Sequence, residues 1–252
     1  MAQNNWPLPP EITKRIVELA CHEPEGQPRR RYSTRLPGIA TYAGVCSDWR
    51  DLVERLTFRD LRLDRARLAD AARIVCPRRQ AYVRTVGLDV ELEPYGRDLY
   101  RTFETAEENA RNSALFSETV RLFFDAFSRW APLDRSNGAG ISLRIKAFSP
   151  SDIGHYRERD SDVLSSSIQR NRYSQSTSIL QLLPAATELP VVESVSELIS
   201  GKERHISPSA WTLIVNSLPN AKKIDIDFWE NEKRDLELRK RLRHRKSLSQ
   251  TS

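Results

Sequence analysis

The sequence predicts a mixed α/β protein: a short all-helical segment over residues 6–63, an irregular array of alternating strands and helices over 64–229, and a charged basic tail over 230–252. Three observations carry this expectation. Residues 6–63 place apolar side chains at three- and four-residue steps, the spacing of one helix face. Beyond residue 64 such stretches alternate with short runs in which apolar and polar residues change places at every step, the spacing of a half-buried strand. From Glu230 onward apolar residues thin out and charged ones dominate.

The elements follow in order. In LPPEITKRIVELA (8–20), Pro10 lacks only an N–H that a helix start leaves unpaired, and Leu8, Ile12, Ile16 and Leu19 line one side of the turn that follows. Ala40, Ala43 and Val45 belong to a second, small-residue helix, and Ser47 caps a third that carries Trp49, Leu52, Val53 and Leu56. Between the first two, residues 21–35 form a charged loop of about 15 residues, against the roughly 2–8 usual for a helix connection. A helical unit this small buries only about 60% of the surface its unfolded chain exposes, so apolar surface is left for a partner. Within the expected stripe, Leu8, Pro9 and Ile12, with Val45 and Trp49, are the residues expected to stay exposed, whereas Ile16 and Leu19 are expected to hold the helices together.

Leu61 and Leu63 mark a first strand, residues 65–75 a helix, and 82–93 a second strand in which Leu88, Val90 and Leu92 alternate with Asp89, Glu91 and Glu93. A helix over 116–131 precedes a strand over 141–148, and a helix over 207–219 precedes a strand over 223–229. LPVVESVSEL from Leu189 and LPNAKKIDIDF from Leu218 share one pattern, a Leu-Pro exit from a helix followed by alternating apolar residues. Residues 149–178 are Ser-rich, without regular apolar spacing, and read as a long polar surface loop. On the strands, Asp89, Glu91, Arg144, Lys146, Asp225 and Asp227 are expected to point away from the core, while Leu88, Val90, Ile145, Ile224 and Ile226 are buried.

Charge and cysteine content narrow the function classes. The chain carries a net charge of +6, and most of that excess lies in the tail, where Glu230, Glu232, Asp235 and Glu237 are outnumbered by lysine and arginine. Glu230 with Arg234, Asp235 with Arg239 and Glu237 with Arg241 stand at helical i,i+4 spacing, which describes a solvated helix as well as it describes a grip on phosphates. Cys21, Cys46 and Cys76 are three in number and widely spaced, which suits reduced core thiols rather than disulfides or zinc ligands. No apolar run approaches the roughly 20 residues of a membrane span, and the N-terminus lacks a secretory pattern, so the expected location is cytoplasmic or nuclear, with no membrane partner.

Leu8-Pro9-Pro10-Glu11-Ile12, then Ile16 and Leu19, then Ala43-Gly44-Val45-Cys46-Ser47-Asp48-Trp49-Arg50-Asp51-Leu52-Val53 and Phe58-Arg59-Asp60-Leu61, taken in this order, resemble an F-box, in the form found in fungal F-box proteins. The segments ISLRIKAFSPSD and Leu218 to Trp229 are similar to sequence that follows the box in those proteins, and the strand and helix alternation resembles irregular leucine-rich repeats with parallel strands. The resemblance implies a three-helix F-box docking on a Skp adaptor and, through it, a cullin, followed by a leucine-rich-repeat-like domain that holds a protein substrate. The charged loop at 21–35 is a departure from the family's pattern, at a place where it could sit over the adaptor surface and block binding.

Catalytic patterns are absent. The four histidines are far apart, no HExxH, Cys-x-x-Cys, P-loop or nucleophile elbow occurs, and the GAG at 138–140 precedes a strand where a dinucleotide fingerprint follows one. Asp225 with Asp227, and Asp89 with Glu91, share a strand face as a metal or acid/base pair would, but alternation toward solvent accounts for them equally. The expectation is therefore a protein with no enzymatic activity, cofactor or metal that recruits a protein target to a ubiquitin ligase. The alternatives are an F-box-fold interaction protein outside any ligase and a nucleic-acid binder acting through the tail.

Overall fold

The computed structural model describes residues 11–12, 15–16, 39–45, 47–96, 98–99, 102–130, 140–152, 178–184, 188–201 and 204–226. Leu8, Pro9, Leu19, Cys21, Cys46, Asp227, the insertion at 21–35, most of the Ser-rich stretch and the tail lie outside the described residues. The described residues fall into two compact units: those up to Asp60 together with Arg78–Val83, and those of Leu61–Pro77 and from Arg84 onward.

In the first unit, residues 11–12 and 15–16 are helical. A 3-10 helix at Ile39–Gly44 leads to α1 at Ser47–Thr57. The small-residue helix is thus the tighter 3-10 form, which suits a short connector. Val53 is the buried centre of a small core, with Ala43, Trp49, Leu52 and Leu56 packed against it.

The second unit is built on a five-stranded sheet in the order β1 (Asp60–Leu63), β2 (Thr85–Glu91), β3 (Ile141–Phe148), β4 (Val195–Ser200) and β5 (Lys223–Asp225). The pairs β2–β3, β3–β4 and β4–β5 are parallel. Between the strands run α2 (Arg65–Ile74), α3 (Pro77–Gln80), α4 (Ala106–Phe127) and α5 (Pro208–Asn216). The fold is mixed α/β with a sheet whose spatial order is its sequence order. Crossovers between parallel neighbours share one hand, so successive connections fall on one side, and the burial pattern agrees. Val86, Leu88, Val90, Ile141, Leu143, Ile145, Ala147, Val195 and Leu198 are fully buried on one face. The residues between them on β2 and β3 are half-buried or exposed.

Local chemistry explains the helices that cover the apolar face. Asp64 caps α2 by accepting from the Arg67 N–H at 2.8 Å. Ser207 caps α5 through the Ala210 N–H at 3.2 Å, with Pro208 in the first turn, where no donor is lost. Thr105 and Glu108 form a reciprocal capping box at the start of α4. Phe116, Phe123, Phe124 and Phe127 of α4 are buried, and Phe127 stacks between Phe123 and Trp130 at centroid distances of 4.2 and 4.1 Å.

Several expectations need correction. The helix expected over 116–131 begins at Ala106, because its first turns bury polar side chains rather than an apolar stripe. Ser113 Oγ accepts from the Gln181 N–H, Ser117 Oγ accepts from the Leu183 N–H, and Asn109 donates to the Ile179 carbonyl. These bonds satisfy an extended segment at 179–183, so the helix expected to end before Leu189 is not found among the described residues 178–184. Leu180 instead forms a parallel bridge to Ile206. Cys76 is exposed rather than a core thiol, since the chain turns inward at Val75 and outward again. Ile224 and Ile226 are half-buried, because β5 is an edge strand with a neighbour on one side only.

A bulge sets the register between β3 and β4. Ile141 faces Val195 but Ser142 faces Glu197, leaving Ser196 as the extra residue. Gly140 accommodates it: a Cβ there would lie 2.4 Å from Ser196 Cβ and 2.9 Å from its nitrogen, so only glycine fits without displacement.

Candidate functional site

Among the described residues the helices cover one face of the sheet, and the other is polar, with Glu91, Arg144, Lys223 and Asp225 exposed and the residues between them half-buried. Reading across the register, Thr85, Ser142, Glu197 and Lys223 form one row and Gly87, Arg144, Ile199 and Asp225 the next. Asp89 with Lys146, and Glu91 with Phe148, follow. Five of the six residues expected to point away from the core, Asp89, Glu91, Arg144, Lys146 and Asp225, thus lie on this face, and Asp227 is outside the described residues.

The charges are largely matched across strands. Lys146 Nζ lies 3.6 Å from Asp89 Oδ1 and 4.6 Å from the Phe148 ring centroid, a salt bridge with a cation–π contact beside it. Lys223 Nζ lies 2.5 Å from Glu197 Oε1. The hydrogen bond from Lys223, then that from Ser142, holds the Glu197 carboxyl below its ordinary value, and Glu197 in turn raises Lys223. Asp89 is therefore one half of an ion pair, which is a poor state for a metal ligand. Among the described residues no group of three His, Cys, Asp or Glu side chains could hold a metal ion.

A second polar cluster, which the sequence did not reveal, sits where β2, β3 and β4 end. The Arg204 Nη1 donates to Glu104 Oε2 at 2.9 Å, and both side chains are 1% exposed. Asn112 donates to the other oxygen of Glu104 and accepts from the Glu93 N–H at 3.1 Å. Beside them Asp152 accepts from Tyr95 Oη at 2.6 Å and from the Ser149 N–H at 2.8 Å. Burial pushes the Asp152 carboxyl above its ordinary value, opposed by the Tyr95 and Ser149 bonds and by the nearby Arg204 charge. The cluster ties three strand exits to the start of α4, and no spacing rule links residues so far apart in the chain.

In the first unit the apolar residues singled out from the sequence divide. Ile12 is 48% exposed and Val45 62%, and Tyr42 is exposed beside Trp49 at a ring distance of 6.2 Å. Ile16, expected to hold the helices together, is 38% exposed. Trp49, expected on the exposed patch, is half-buried against Val53. An ionic group reinforces α1: Glu54 accepts from Arg79 at 2.8 Å and from Arg78 at 3.1 Å, and Arg78 also binds Asp51. The Arg79 hydrogen bond holds the Glu54 carboxyl below its ordinary value, against the opposing effect of burial. Arg79 also lies over the Phe58 ring at 4.8 Å.

The second unit is of the mixed α/β class, with parallel pairing of β2 to β5 in a five-stranded sheet. No protein-family model, no curated protein and no solved structure matches this chain. No helix among the described residues is long and apolar enough to cross a membrane.

Proposed function

We propose that this chain is a substrate-recruiting F-box subunit of a Skp–cullin–F-box ubiquitin ligase, binding the Skp adaptor through its N-terminal residues and a protein target on the open sheet face. Catalysis in this reading belongs to the partners, and no cofactor is required. The observation that carries it is the ordered series of F-box-like motifs from Leu8 to Leu61, with Ile12 and Val45 presenting large apolar side chains to water. A contiguous apolar patch marks a site for a partner, and in this reading the two side chains belong to one with Leu8 and Pro9. The polar sheet face, with Glu91, Arg144 and Asp225 exposed, is the surface this reading assigns to the target.

The test is a pulldown of the purified full chain with a purified Skp adaptor and cullin, run beside thermal melts. Leu8→Ala, Ile12→Ala and Val45→Ala are each expected to weaken adaptor binding about five- to a hundredfold, the effect of removing an interface anchor worth about 1–3 kcal/mol, while the melting temperature holds. No adaptor binding by the parent chain would refute the ligase reading. The partial burial of Trp49 against Val53 favours a second reading, an interaction protein of F-box fold outside any ligase. That protein would retain target capture on the sheet face without the adaptor.

A further inference from the structure

Lysine and arginine are unevenly shared along this chain. From Arg15 to Ile145, a run of 131 residues, there are 22 arginines and no lysine, whereas the 107 residues from Lys146 to Ser252 hold ten arginines and seven lysines. A preference for arginine over the whole chain does not account for a break at one point in it. Nor does the fold ask for guanidinium groups throughout the run. Arg78 and Arg79 do use theirs, since both bind Glu54 and Arg79 also lies over the Phe58 ring. On α2, by contrast, Arg67 and Arg73 pair with Asp64 and Asp70 three residues away, with side chains 66% and 77% exposed. On α4, Arg121 stands 4.0 Å from Asp125 at i,i+4 spacing and is 49% exposed. Lysine makes such single pairs as arginine does, and exposed pairs contribute little to stability. At these positions the charge is kept and the amine is excluded.

The two cations differ in chemistry. A guanidinium stays protonated and delocalised at any pH a folded protein meets, whereas a lysine ε-ammonium can release a proton to give a nucleophilic amine. That amine is the group to which ubiquitin is joined. It adds to the carbonyl carbon of a ubiquitin thioester on a conjugating enzyme; the C–N bond forms as the C–S bond breaks, the thiolate leaves, and the amine proton passes to solvent. In the ligase reading the N-terminal residues hold this chain to the ligase, so its own amines stand at high local concentration near that thioester and compete with the target. The run removes such amines from the adaptor-binding segment, from β1 and β2, and from β3 as far as Ile145. The first lysine after the run is withdrawn by its contacts: the Lys146 side chain is 15% exposed, 3.6 Å from Asp89 and 4.6 Å from the Phe148 ring centroid. Lys223 is tied to Glu197. Lys222, just before β5, is exposed.

We infer that the lysine-free run protects the adaptor-bound chain from its own ligase and leaves Lys222 as the acceptor amine among the described residues. This protection rests on the ligase reading and adds to it a rule for where the chain itself is modified. The full chain, assembled with a purified Skp–cullin ligase core, is incubated with activating and conjugating enzymes, ubiquitin and ATP, and attachment sites are read by mass spectrometry of the tryptic glycine–glycine remnant. The parent should carry ubiquitin on Lys222 and none on Lys146. A variant combining Arg67→Lys, Arg73→Lys and Arg121→Lys should gain ubiquitin on the introduced lysines, at least about doubling the ubiquitin per chain. Its melting temperature should stay within about 2 °C of the parent, because each exposed pair is retained. Acylation of the free chain by N-hydroxysuccinimidyl acetate needs no ligase, and it should modify Lys222 at least about threefold faster than Lys146.

An assembled ligase that leaves Lys222 unmodified, introduced lysines that stay unmodified in a variant that melts with the parent, ubiquitin on Lys146 as heavy as on Lys222, or equal acylation of those two amines each overturns the inference and leaves the ligase reading in place. Failure of the parent to bind the adaptor overturns both.

Discussion

Replacing Arg204 by Met tests the polar cluster at the strand exits most sharply. Met preserves most of the volume of the arginine stem and removes its charge, leaving the Glu104 carboxylate with the Asn112 amide as its remaining hydrogen-bond donor. Breaking one partner out of a buried ion pair costs about 3–5 kcal/mol, because the other charge is left without compensation in a poorly solvating interior. For a unit of this size each kcal/mol moves the unfolding midpoint by about 2–4 °C, so the melting temperature should fall by about 6–20 °C. Calorimetry on the full chain reads this directly. Adding Glu104→Gln in the same background removes the stranded charge and should recover much of the loss, a coupling that a purely volumetric defect would not show. The pH dependence has a definite sign. Arg204 holds down an Asp152 carboxyl that burial has already raised, so its removal raises that group further. A carboxyl whose folded value lies above its unfolded one favours the folded state at low pH and loses that contribution as pH rises through the folded value. The deficit of Arg204→Met should therefore shrink between pH 7 and pH 5. A midpoint within about 2 °C of the parent, or a deficit that grows on acidification, would refute the account of a buried, coupled cluster.

Two further outcomes follow from the sheet and from the first unit. Ile145→Ala should destabilise the second unit by about 2–5 kcal/mol in urea unfolding, the usual cost of emptying a sealed aliphatic site, whereas Arg144→Ala, one residue away on the exposed face, should change it by less than about 0.5 kcal/mol. Glu54→Gln should loosen α1 by about 1–2 kcal/mol, measured as faster amide exchange across Ser47–Thr57. Since its folded value is depressed, the contribution of Glu54 is present above its ordinary value of 4.5 and should be lost as pH falls below that toward the folded value, so exchange in the parent should approach that of the variant on acidification.

The legible parts of this fold are those where one physical rule governs. The strand at Ile141–Phe148 alternates without a break, and the structure places its bounds where the alternation does. α2 and α5 likewise follow from a cap and an apolar stripe. The start of α4 escaped the apolar pattern because Asn109, Asn112, Ser113 and Ser117 turn inward to bond backbone and side-chain groups of other segments. The T-x-x-E signature at Thr105 and Glu108 marked it all the same, and attention to capping would have found it. The open-face charges were readable from alternation, but their pairing was not, since register across strands depends on connections of unequal length. Glu104 and Arg204 carried no signal at all: two charged residues in polar stretches of sequence become the most deeply buried ion pair described here only when the strand exits converge. Ile16 and Trp49 show the reverse limit, because a periodic stripe says that a face is apolar without saying which part of it the chain covers.

The agreement between strand order and chain order bears on how the protein is made. Each strand finds its partner in the one synthesised just before it, so the sheet can grow from its first edge while the rest of the chain is still on the ribosome. The intervals are unequal: β3 ends at Phe148 and β4 begins at Val195, a gap of about 50 residues that takes roughly 3–10 s to translate. During that time the outer edge of β3, a regular strand with three branched apolar residues, Ile141, Leu143 and Ile145, on one side, offers unpaired backbone groups to any passing strand. Until β4 arrives, that edge is the part of the nascent chain most exposed to mispairing, and the place where a chaperone would have most to shield.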